Sequence, residues 1–481
     1  MKKTIFFLAL TLFSALSVTA QMRYTSAVMT NIFVTHPDKT PFDTWKNDYF
    51  VAFGYTEDTA LHPAFYLVDC SSYNNLVPAI PIATPAFAEY LVQVTPPPEL
   101  FGFSVNDIYV ADDYAFFCGQ GIENISVSDT VQVSVVGYFN LNDFFTNNVQ
   151  VDYLILYNSI TYLDYPVSLE QLVAYRTSSG YDVVAYGERF DGMNVVVEIK
   201  DVMSPMVSCD AADMPFSSSP YNPLFYDRLT IDDIFLTENN VVLTGHDHNM
   251  ITFLANYPWY SVGKKENVVA NICDPLINPN YYLPSADESE GYVLGVALEG
   301  DSFAMAYVHS DNITGHRVIR LRAIDPLAMT NPYSQDFKSD KGELVHKMVY
   351  LLKVKTVDLI VEEPSTTRFF QLDPYATASY NSVFFELGGA FRRIRARDGV
   401  HFISSYGNQF YIDDRTANLP HSDQSCPANK YKMVQMIPNL PPIQAQPGLP
   451  QAQLTLIPTQ TNDAVQAHAI TTDCFSFELN K

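Results

Sequence analysis

The stretch TIDDIFLTENNVVLTGHDHNMITFLA, residues Thr230 to Ala255, gives the clearest indication of the fold class. Two apolar runs, Ile231 to Thr237 and Val241 to Thr244, flank a turn-forming Glu-Asn-Asn segment, which predicts a β-hairpin. A second turn is predicted from Gly245 to Asn249. The run from Met250 to Ala255 is then predicted as a third strand, because it is too short to favour a helix. Three successive strands of this kind make an antiparallel meander.

The same pattern recurs along the chain. Asn106–Gly119 matches Asp232–Gly245 without a gap, and Leu172–Gly187 fits the pattern with a longer turn. Together with further copies, the repeats are anchored at positions 32, 108, 172, 234, 296, 348 and 394. Small sheets that bury both faces only when they stack on neighbours are typical of β-propellers. We therefore predict an all-β fold, a β-propeller of seven blades. Six blades, eight blades or a string of β-sandwich domains are the alternatives.

The N-terminus predicts export. Lys2-Lys3, the apolar run from Thr4 to Val18 and the small residues at 18–20 together form a signal peptide over residues 1–20. The cut is not followed directly by Cys, which predicts a soluble periplasmic or extracellular protein, not a lipoprotein, without membrane insertion. The propeller is predicted over 21–415. The Pro- and Gln-rich segment over 416–481 is a candidate source of a ring-closing strand.

The leader ends in Thr-Ala-Gln and precedes an acidic β chain rich in Tyr and Asn. In these respects the chain resembles exported propeller-like proteins of Bacteroidota, most of which have no known function. The resemblance rests on the character of the whole chain, with no motif behind it. It implies export and a propeller fold, and it implies no particular ligand.

The charge balance excludes one class of partner. Lys and Arg number 28 against 53 Asp and Glu, which gives a net charge of −25. Such a chain repels nucleic acid and anionic membranes, and its charge mainly promotes solubility. We therefore predict that nucleic acid is not a partner.

Acidic and imidazole side chains collect where the second strand of several repeats is predicted to end. Neutral imidazole is a ligand that divalent cations accept, so His246 and His248 are candidate metal ligands in the predicted second turn. The alternative is that His, Asp and Asn occupy turns for backbone reasons alone. No other cofactor is predicted.

Two further groups are candidate ligand-binding residues. Arg393, Arg395 and Arg397 alternate along one strand and so share a face, where guanidinium groups can hold a carboxylate, sulfate or phosphate. The alternative is an ion-paired strand in an acidic protein. Trp259 and Tyr260 offer flat rings for stacking on a sugar, and the alternative for them is burial between blades.

The remaining motifs favour structural interpretations. Cys426 and Cys474 bracket the C-terminal segment and are predicted to form a disulfide, whereas Cys118 is predicted to be a buried free thiol. Gly300-Asp301-Ser302 resembles the nucleophile block of GDS-type esterases. It aligns with the first hairpin turn of the other repeats, however, and is predicted to be a turn.

The function predicted from these patterns is non-enzymatic binding of a protein or glycan through the loop face of the propeller. The first alternative is a propeller-class glycosidase or lyase that uses paired carboxylates. The second alternative is a structural protein of the cell envelope. The sequence leaves the oligomeric state open.

Overall fold

The computed structural model is all-β and built from antiparallel sheets, which confirms the predicted fold class at this level. It describes the strands given below and the turns at 112–113, 141–143, 177–180, 201–204, 237–239, 265–269, 298–302 and 326. No helix within this described part is both long and apolar enough to cross a membrane.

The first half of the chain forms three meander units after a short opening strand. The strands are β1 Gln21–Arg23; unit 1, β2 Tyr49–Glu57, β3 Leu61–Asp69 and β4 Phe87–Gln93; unit 2, β5 Leu100–Ala111, β6 Tyr114–Asn124, β7 Thr130–Asn140 and β8 Gln150–Leu156; unit 3, β9 Val167–Arg176, β10 Tyr181–Arg189, β11 Asn194–Lys200 and β12 Ser208–Asp213.

The second half forms four more units and a C-terminal group of strands. The strands are β13 Ser217–Ser218; unit 4, β14 Tyr226–Leu236, β15 Asn240–His248 and β16 Asn256–Lys264; β17 Tyr281–Tyr282; unit 5, β18 Ser289–Ala297, β19 Phe303–Asp311, β20 His316–Asp325 and β21 Thr330–Ser339; unit 6, β22 Leu344–Leu351, β23 Thr356–Glu362 and β24 Thr367–Leu372; unit 7, β25 Phe391–Arg397, β26 Val400–Ser405, β27 Phe410–Asp414 and β28 Lys430–Met436; then β29 Leu454–Gln460, β30 Ala464–His468 and β31 Ile470–Ser476.

Neighbouring units touch through their first strands. In chain order β2 contacts β5, β5 contacts β9, β9 contacts β14, β14 contacts β18, β18 contacts β22 and β22 contacts β25. Between units 2 and 3, units 3 and 4, and units 4 and 5, the facing sheets bury continuous apolar clusters. Each fully buried aliphatic or aromatic side chain contributes about 2 kcal/mol, so these clusters are what holds the units together.

A bulge next to a glycine shapes the first hairpin of units 2, 3 and 4. In unit 4, Ile231 pairs with Gly245 and Asp233 pairs with Thr244, which leaves Asp232 as the extra residue. A Cβ at Gly245 would lie 1.9 Å from the carbonyl oxygen of Thr230. Glycine is required here because the bulged backbone approaches the second strand too closely for any side chain.

The same arrangement occurs in the other two hairpins. Asn106 is the extra residue of unit 2, and a Cβ at Gly119 would lie 1.9 Å from the Ser104 carbonyl oxygen. In unit 3 the extra residue is Glu170, opposite Gly187. The glycine that ends each aligned repeat in the sequence therefore marks the bulge.

The C-terminal segment adds strands to three different sheets. β29 pairs with β8 of unit 2, β30 pairs with β4 of unit 1, and β31 pairs with β28 of unit 7. All three pairings are antiparallel and lie on the edge opposite the first strand. Residues from the end of the chain thus complete sheets formed at both its beginning and its end.

One detail of the sequence interpretation is wrong. β15 continues to His248, so the second turn of the quoted stretch does not begin at Gly245. The third strand of unit 4 in the structure is β16, from Asn256 to Lys264, and the strand predicted from Met250 to Ala255 lies outside the described residues. Polar residues after Gly245 stay in the ladder because the bulge lets the backbone bonds continue past the glycine.

Candidate functional site

The junction between units 4 and 5 contains a buried acid and a histidine in contact. Asp232, the bulge residue of β14, accepts a bond at Oδ2 from the Val293 N–H of β18 at 2.9 Å. His246 Nδ1 lies 2.7 Å from the same oxygen. The Asp232 side chain is 1% exposed and that of His246 is 15% exposed, so the pair opens to solvent only on the histidine side.

The second oxygen of the Asp232 carboxyl, Oδ1, is buried and has no hydrogen-bond partner among the described residues. Burial raises the pKa of this carboxyl, against the opposing effects of His246 and of the Val293 N–H. A buried carboxylate oxygen without a donor costs free energy, which favours the protonated form of this carboxyl.

Equivalent positions in other units show which part of this arrangement is structural. In unit 2, Asn106 donates from Nδ2 to the Leu169 carbonyl of unit 3 at 2.7 Å, and Asp107 accepts from the Leu172 N–H at 3.0 Å. In unit 4, Asp233 accepts from the Gly295 N–H at 3.2 Å. Polar residues at the bulge therefore tie the first strand to the next one in units 2 and 4. The ionisable pair itself occurs in unit 4.

The hydrogen bond from the Val293 N–H to Asp232 also fixes the backbone next to an exposed aromatic residue. Val293 donates to Asp232, and its carbonyl accepts from Thr244 Oγ1 at 2.8 Å. Val293 and Thr244 are buried, whereas the preceding residue, Tyr292, is 51% exposed. The strand is irregular at this point, between Glu290 and Leu294. Tyr292 is thus presented outward from a backbone fixed on its C-terminal side.

The candidate metal ligands lie on a strand. His246 and His248 belong to β15, opposite Pro258 and Asn256 of β16. His246 contacts Asp232, an arrangement that orients the imidazole of many metal-binding histidines. The side chain of His248 lies outside the described residues. Within the described part, no three His, Cys, Asp or Glu side chains form a group that could hold a metal ion.

The two rings suggested for sugar stacking are in the core. Trp259 is 0% exposed and belongs to the cluster between units 3 and 4, whereas Tyr260 is 6% exposed and belongs to the cluster between units 4 and 5. They point to opposite faces because they are neighbours on β16. Stacking on a ligand needs an exposed ring face, which neither has. Burial, the alternative considered for both, describes them correctly.

The other sequence candidates divide into two groups. Cys118 is buried and forms no disulfide, as predicted. Arg393, Arg395 and Arg397 lie on β25, opposite β26. Their side chains lie outside the described residues, as do Cys426 and the side chain of Cys474. The anion site and the disulfide therefore stay predictions.

The Gly300-Asp301-Ser302 segment is a hairpin turn that fastens unit 5 to unit 4. Asp301 Oδ1 accepts from Thr237 Oγ1 and from the Asn239 N–H, each at 2.9 Å, and Oδ2 accepts from Asn239 Nδ2 at 2.9 Å. Burial alone would raise the pKa of Asp301, but these hydrogen bonds outweigh it and lower the pKa. The carboxylate has a structural role, in agreement with the turn predicted from the repeat.

Sequence reasoning missed both Asp232 and Tyr292. Asp232 was visible as the position that aligns with Asn106, but its contact with His246 depends on a bulge that creates a local shift in register. Tyr292 carried no signal, because a chain with 31 Tyr offers no way to single out one exposed ring.

Comparisons with known proteins give no family. No family model matches the chain, and no curated protein matches it in sequence. Similar solved structures include an acylaminoacyl peptidase from Pyrococcus horikoshii, with a TM-score of 0.36, 8% identity, and coverage of 74% of this chain and 48% of that one. An acylaminoacyl peptidase in complex with Z-Gly-Gly-Phe-chloromethyl ketone has a TM-score of 0.38 and 9% identity, with coverage of 71% of this chain and 50% of that one.

Raptor from Chaetomium thermophilum gives a TM-score of 0.36 and 12% identity, with coverage of 69% of this chain and 28% of that one. This chain therefore spans half or less of each of these three proteins. At TM-scores below 0.5, the similarities do not establish a shared fold.

Proposed function

We propose that this chain is an exported, seven-bladed β-propeller that binds a protein or glycan partner through one loop face. In this proposal units 1 to 7 are the blades. The first strands, which contact one another in chain order, would line the central channel. The C-terminal strands support the ring, since they pair with units 7, 1 and 2, where a ring of these units has to close.

The observation that carries the binding function is a uniform scaffold with unequal loops. The bulge and its glycine repeat in units 2, 3 and 4, and an Asp beside the bulge accepts a backbone N–H of the next unit in units 2 and 4. By contrast, the connections between second and third strands run from four residues at 190–193 to seven at 249–255 and seventeen at 70–86. In a propeller these connections share one face, and binding residues are commonly carried on loops held by a rigid scaffold.

A loop replacement tests this function. Residues 249–255 would be replaced by a short Asn-Gly turn, and the hairpin turn at 237–239, at the other end of unit 4, would be altered as the control. Binding to a glycan array and to envelope proteins of the native host would be measured for both variants. We expect loss of binding in the first variant alone. Equal binding by both variants would show that this face is not the binding surface.

An enzymatic function is the second candidate, because Asp232 is a buried carboxyl with a raised pKa beside a histidine. A glycosidase or lyase would need two carboxyl groups about 5–10 Å apart across a substrate cleft. The neighbouring Asp233 is engaged by a backbone N–H, which favours a structural role for it. Hydrolysis of a neutral glycan panel by the wild type, lost in Asp232→Asn, would establish the enzyme.

Export and a purely structural role have separate tests. Cell fractionation with N-terminal sequencing of the mature chain would place its first residue at Gln21 if the signal peptide is cleaved as proposed. An envelope component without a ligand would remain in the envelope fraction and bind neither glycans nor soluble proteins.

A further inference from the structure

The first strands of units 2, 3 and 4 carry a hydrogen-bond acceptor at one shared position, directly after the extra residue of the bulge. The acceptors are Asp107, Gln171 and Asp233. This position supplies an oxygen to the junction with the next unit, because each acceptor binds a backbone N–H of the next first strand. The donors are Leu172 at 3.0 Å for unit 2, Ile234 at 3.4 Å for unit 3 and Gly295 at 3.2 Å for unit 4.

Units 6 and 7 have the same bulge with a different type of residue at this position. In unit 6 the register shifts between Val345 and Lys347, which makes Lys347 the residue after the extra one. In unit 7 the register shifts between Phe391 and Arg393, which makes Arg393 the equivalent residue. Lysine and arginine side chains donate hydrogen bonds and accept none. Two neighbouring units thus have a cation where the others have an acceptor.

The strands around these two positions are rich in cations and contain no acid. β22 contacts β25, and β25 pairs with β26. No Asp or Glu occurs in the sequences of these three strands. Five of the 28 Lys and Arg residues of the chain lie on them, namely Lys347, Arg392, Arg393, Arg395 and Arg397.

This placement disfavours the ion-paired strand that was the alternative for the arginines. Neither strand next to β25 offers an acid as a partner. The acid nearest in sequence is Asp398, which follows Arg397 at the end of β25 away from the bulge. It lies about 16 Å from Arg393 along an extended strand. The bulge end of β25 therefore has no counter-charge on the adjacent strands.

The spacing of the bulge contacts relates the two cationic positions to each other. In units 3 and 4 the N–H that is bound belongs to the residue directly after the equivalent position, as in Leu172 after Gln171 and Ile234 after Asp233. Applied to units 6 and 7, this spacing relates Lys347 to the backbone N–H of Ile394, which follows Arg393. An N–H and two cationic residues are thus brought to a place where other units have an acceptor oxygen.

We propose that the junction of units 6 and 7 binds a small anion, with a carboxylate, sulfate or phosphate oxygen in the place that Asp107 and Asp233 fill in their own units. Lys347, Arg393 and the N–H of Ile394 define the site. Charge complementarity selects an anion, because ammonium and guanidinium groups without a nearby acid repel each other until one binds. The net charge of −25 disfavours an extended polyanion and so favours a compact ligand.

This site is separate from the loop face proposed for partner binding, because it lies on first strands. The experiment measures the Tm of the full-length mature chain in sodium phosphate, sodium sulfate and sodium acetate, each against sodium chloride at equal ionic strength. We expect a saturable rise in Tm with at least one of the three anions. Calorimetry with that anion gives the Kd, and the comparison of the three identifies the anionic group that the site prefers.

Single substitutions locate the site. Lys347→Ala and Arg393→Ala should each weaken binding of the preferred anion by about 10-fold, since each removes a charged hydrogen-bond donor. Arg393→Lys keeps the charge and should bind more tightly than Arg393→Ala. Lys264→Ala removes an exposed lysine of unit 4, is the matched control, and should bind like the wild type.

Lys347→Asp distinguishes an anion site from a general effect of salt. This substitution restores the type of acceptor that Asp107 and Asp233 provide in units 2 and 4. Without added anion, the variant should be at least as stable as the wild type, and the anion should no longer raise its Tm. If Lys347 had a structural role alone, the variant would be less stable throughout and its Tm would still rise with the anion.

Two results would overturn the proposal. One is a wild type whose Tm responds to the three anions no more than to chloride. The other is an equal response of the wild type, Arg393→Ala and Lys347→Asp, which would indicate the general stabilisation that excluded salts such as sulfate produce. Replacement of residues 249–255 should leave the anion response unchanged, so failure of the loop-face function and failure of the anion site are separate results.

Discussion

Replacing Gly245 with alanine should destabilise the protein by about 3 kcal/mol. The new Cβ would lie 1.9 Å from the Thr230 carbonyl oxygen, whereas real Cβ atoms essentially never come closer than 3.0 Å to another heavy atom. The two strands must therefore separate by about 1 Å where Ile231 pairs with Gly245. Stretching one or two ladder bonds costs about 1 kcal/mol each, and local overpacking adds 1 to 3 kcal/mol.

Gly300→Ala is the matched control, because it isolates backbone strain. Gly300 has φ of +67°, and the nearest atom to a new Cβ would be the end of the Glu238 side chain at 3.9 Å. The cost should be about 1 kcal/mol, from the left-handed conformation alone. Gly119→Ala should behave like Gly245→Ala, since its Cβ would also lie 1.9 Å from a backbone carbonyl oxygen.

The assay is urea denaturation followed by far-UV circular dichroism, with thermal scans at matched protein concentration. The quantity compared is the loss in unfolding free energy relative to the wild type at unchanged denaturant slope. A Gly245→Ala variant no less stable than Gly300→Ala would refute the bulge geometry. It would also remove the physical reason given for the repeated glycine.

Three further predictions concern single side chains. The raised pKa of Asp232 means that its protonated form is favoured in the folded state. The wild type should therefore lose stability relative to Asp232→Asn as pH rises through the folded-state pKa. Denaturant midpoints of both proteins between pH 4 and 8 would measure this, and a difference in midpoint that does not change with pH would contradict it. The pKa of Asp301 is lowered, so its effect on stability has the opposite pH dependence. Asp301→Ala should destabilise the protein at pH 7, and should do so progressively less as pH falls below the ordinary Asp range. Ser302→Ala is the control and should have little effect at any pH. Cys118 should resist alkylation in the folded protein and react after denaturation, as peptide mass spectrometry would show; modification under native conditions would mean that the strand opens.

The fold class was predictable because the signal is local. The hairpin between Val110 and Ala115 and that between Leu236 and Val241 each join apolar runs across a short polar turn, and both are present in the structure. Periodicity and turn chemistry act within a few residues, so sequence reasoning captures them. Repetition then shows that the same local solution is used many times.

Strand ends and the site were harder to predict because tertiary context decides them. His246 carries a turn-forming side chain but remains in β15, where it pairs with Pro258 on one side and Thr230 on the other. Its contact with Asp232 depends on a bulge, and the Asp232 contact with Val293 joins residues 61 positions apart. Such contacts leave no periodic trace in the chain.

The C-terminal strands show the same limit. Strands near 453–457 and 473–479 are predictable from composition, and the structure has β29 and β31 at these places. Their partners are not predictable, because β29 pairs with β8 about 300 residues earlier in the chain. The partner of a C-terminal strand is determined by which sheet edges are open once the earlier units have folded.

These late pairings have a consequence for biogenesis. The edges of β4 and β8 stay open until the residues of β29 and β30 are available, so the first two sheets remain unfinished while the rest of the chain is made. Open edges invite pairing with other chains. Folding should therefore be slow, and its final step should be the pairing of the C-terminal strands with these open edges. Interruption of synthesis before position 454 should leave an aggregation-prone product.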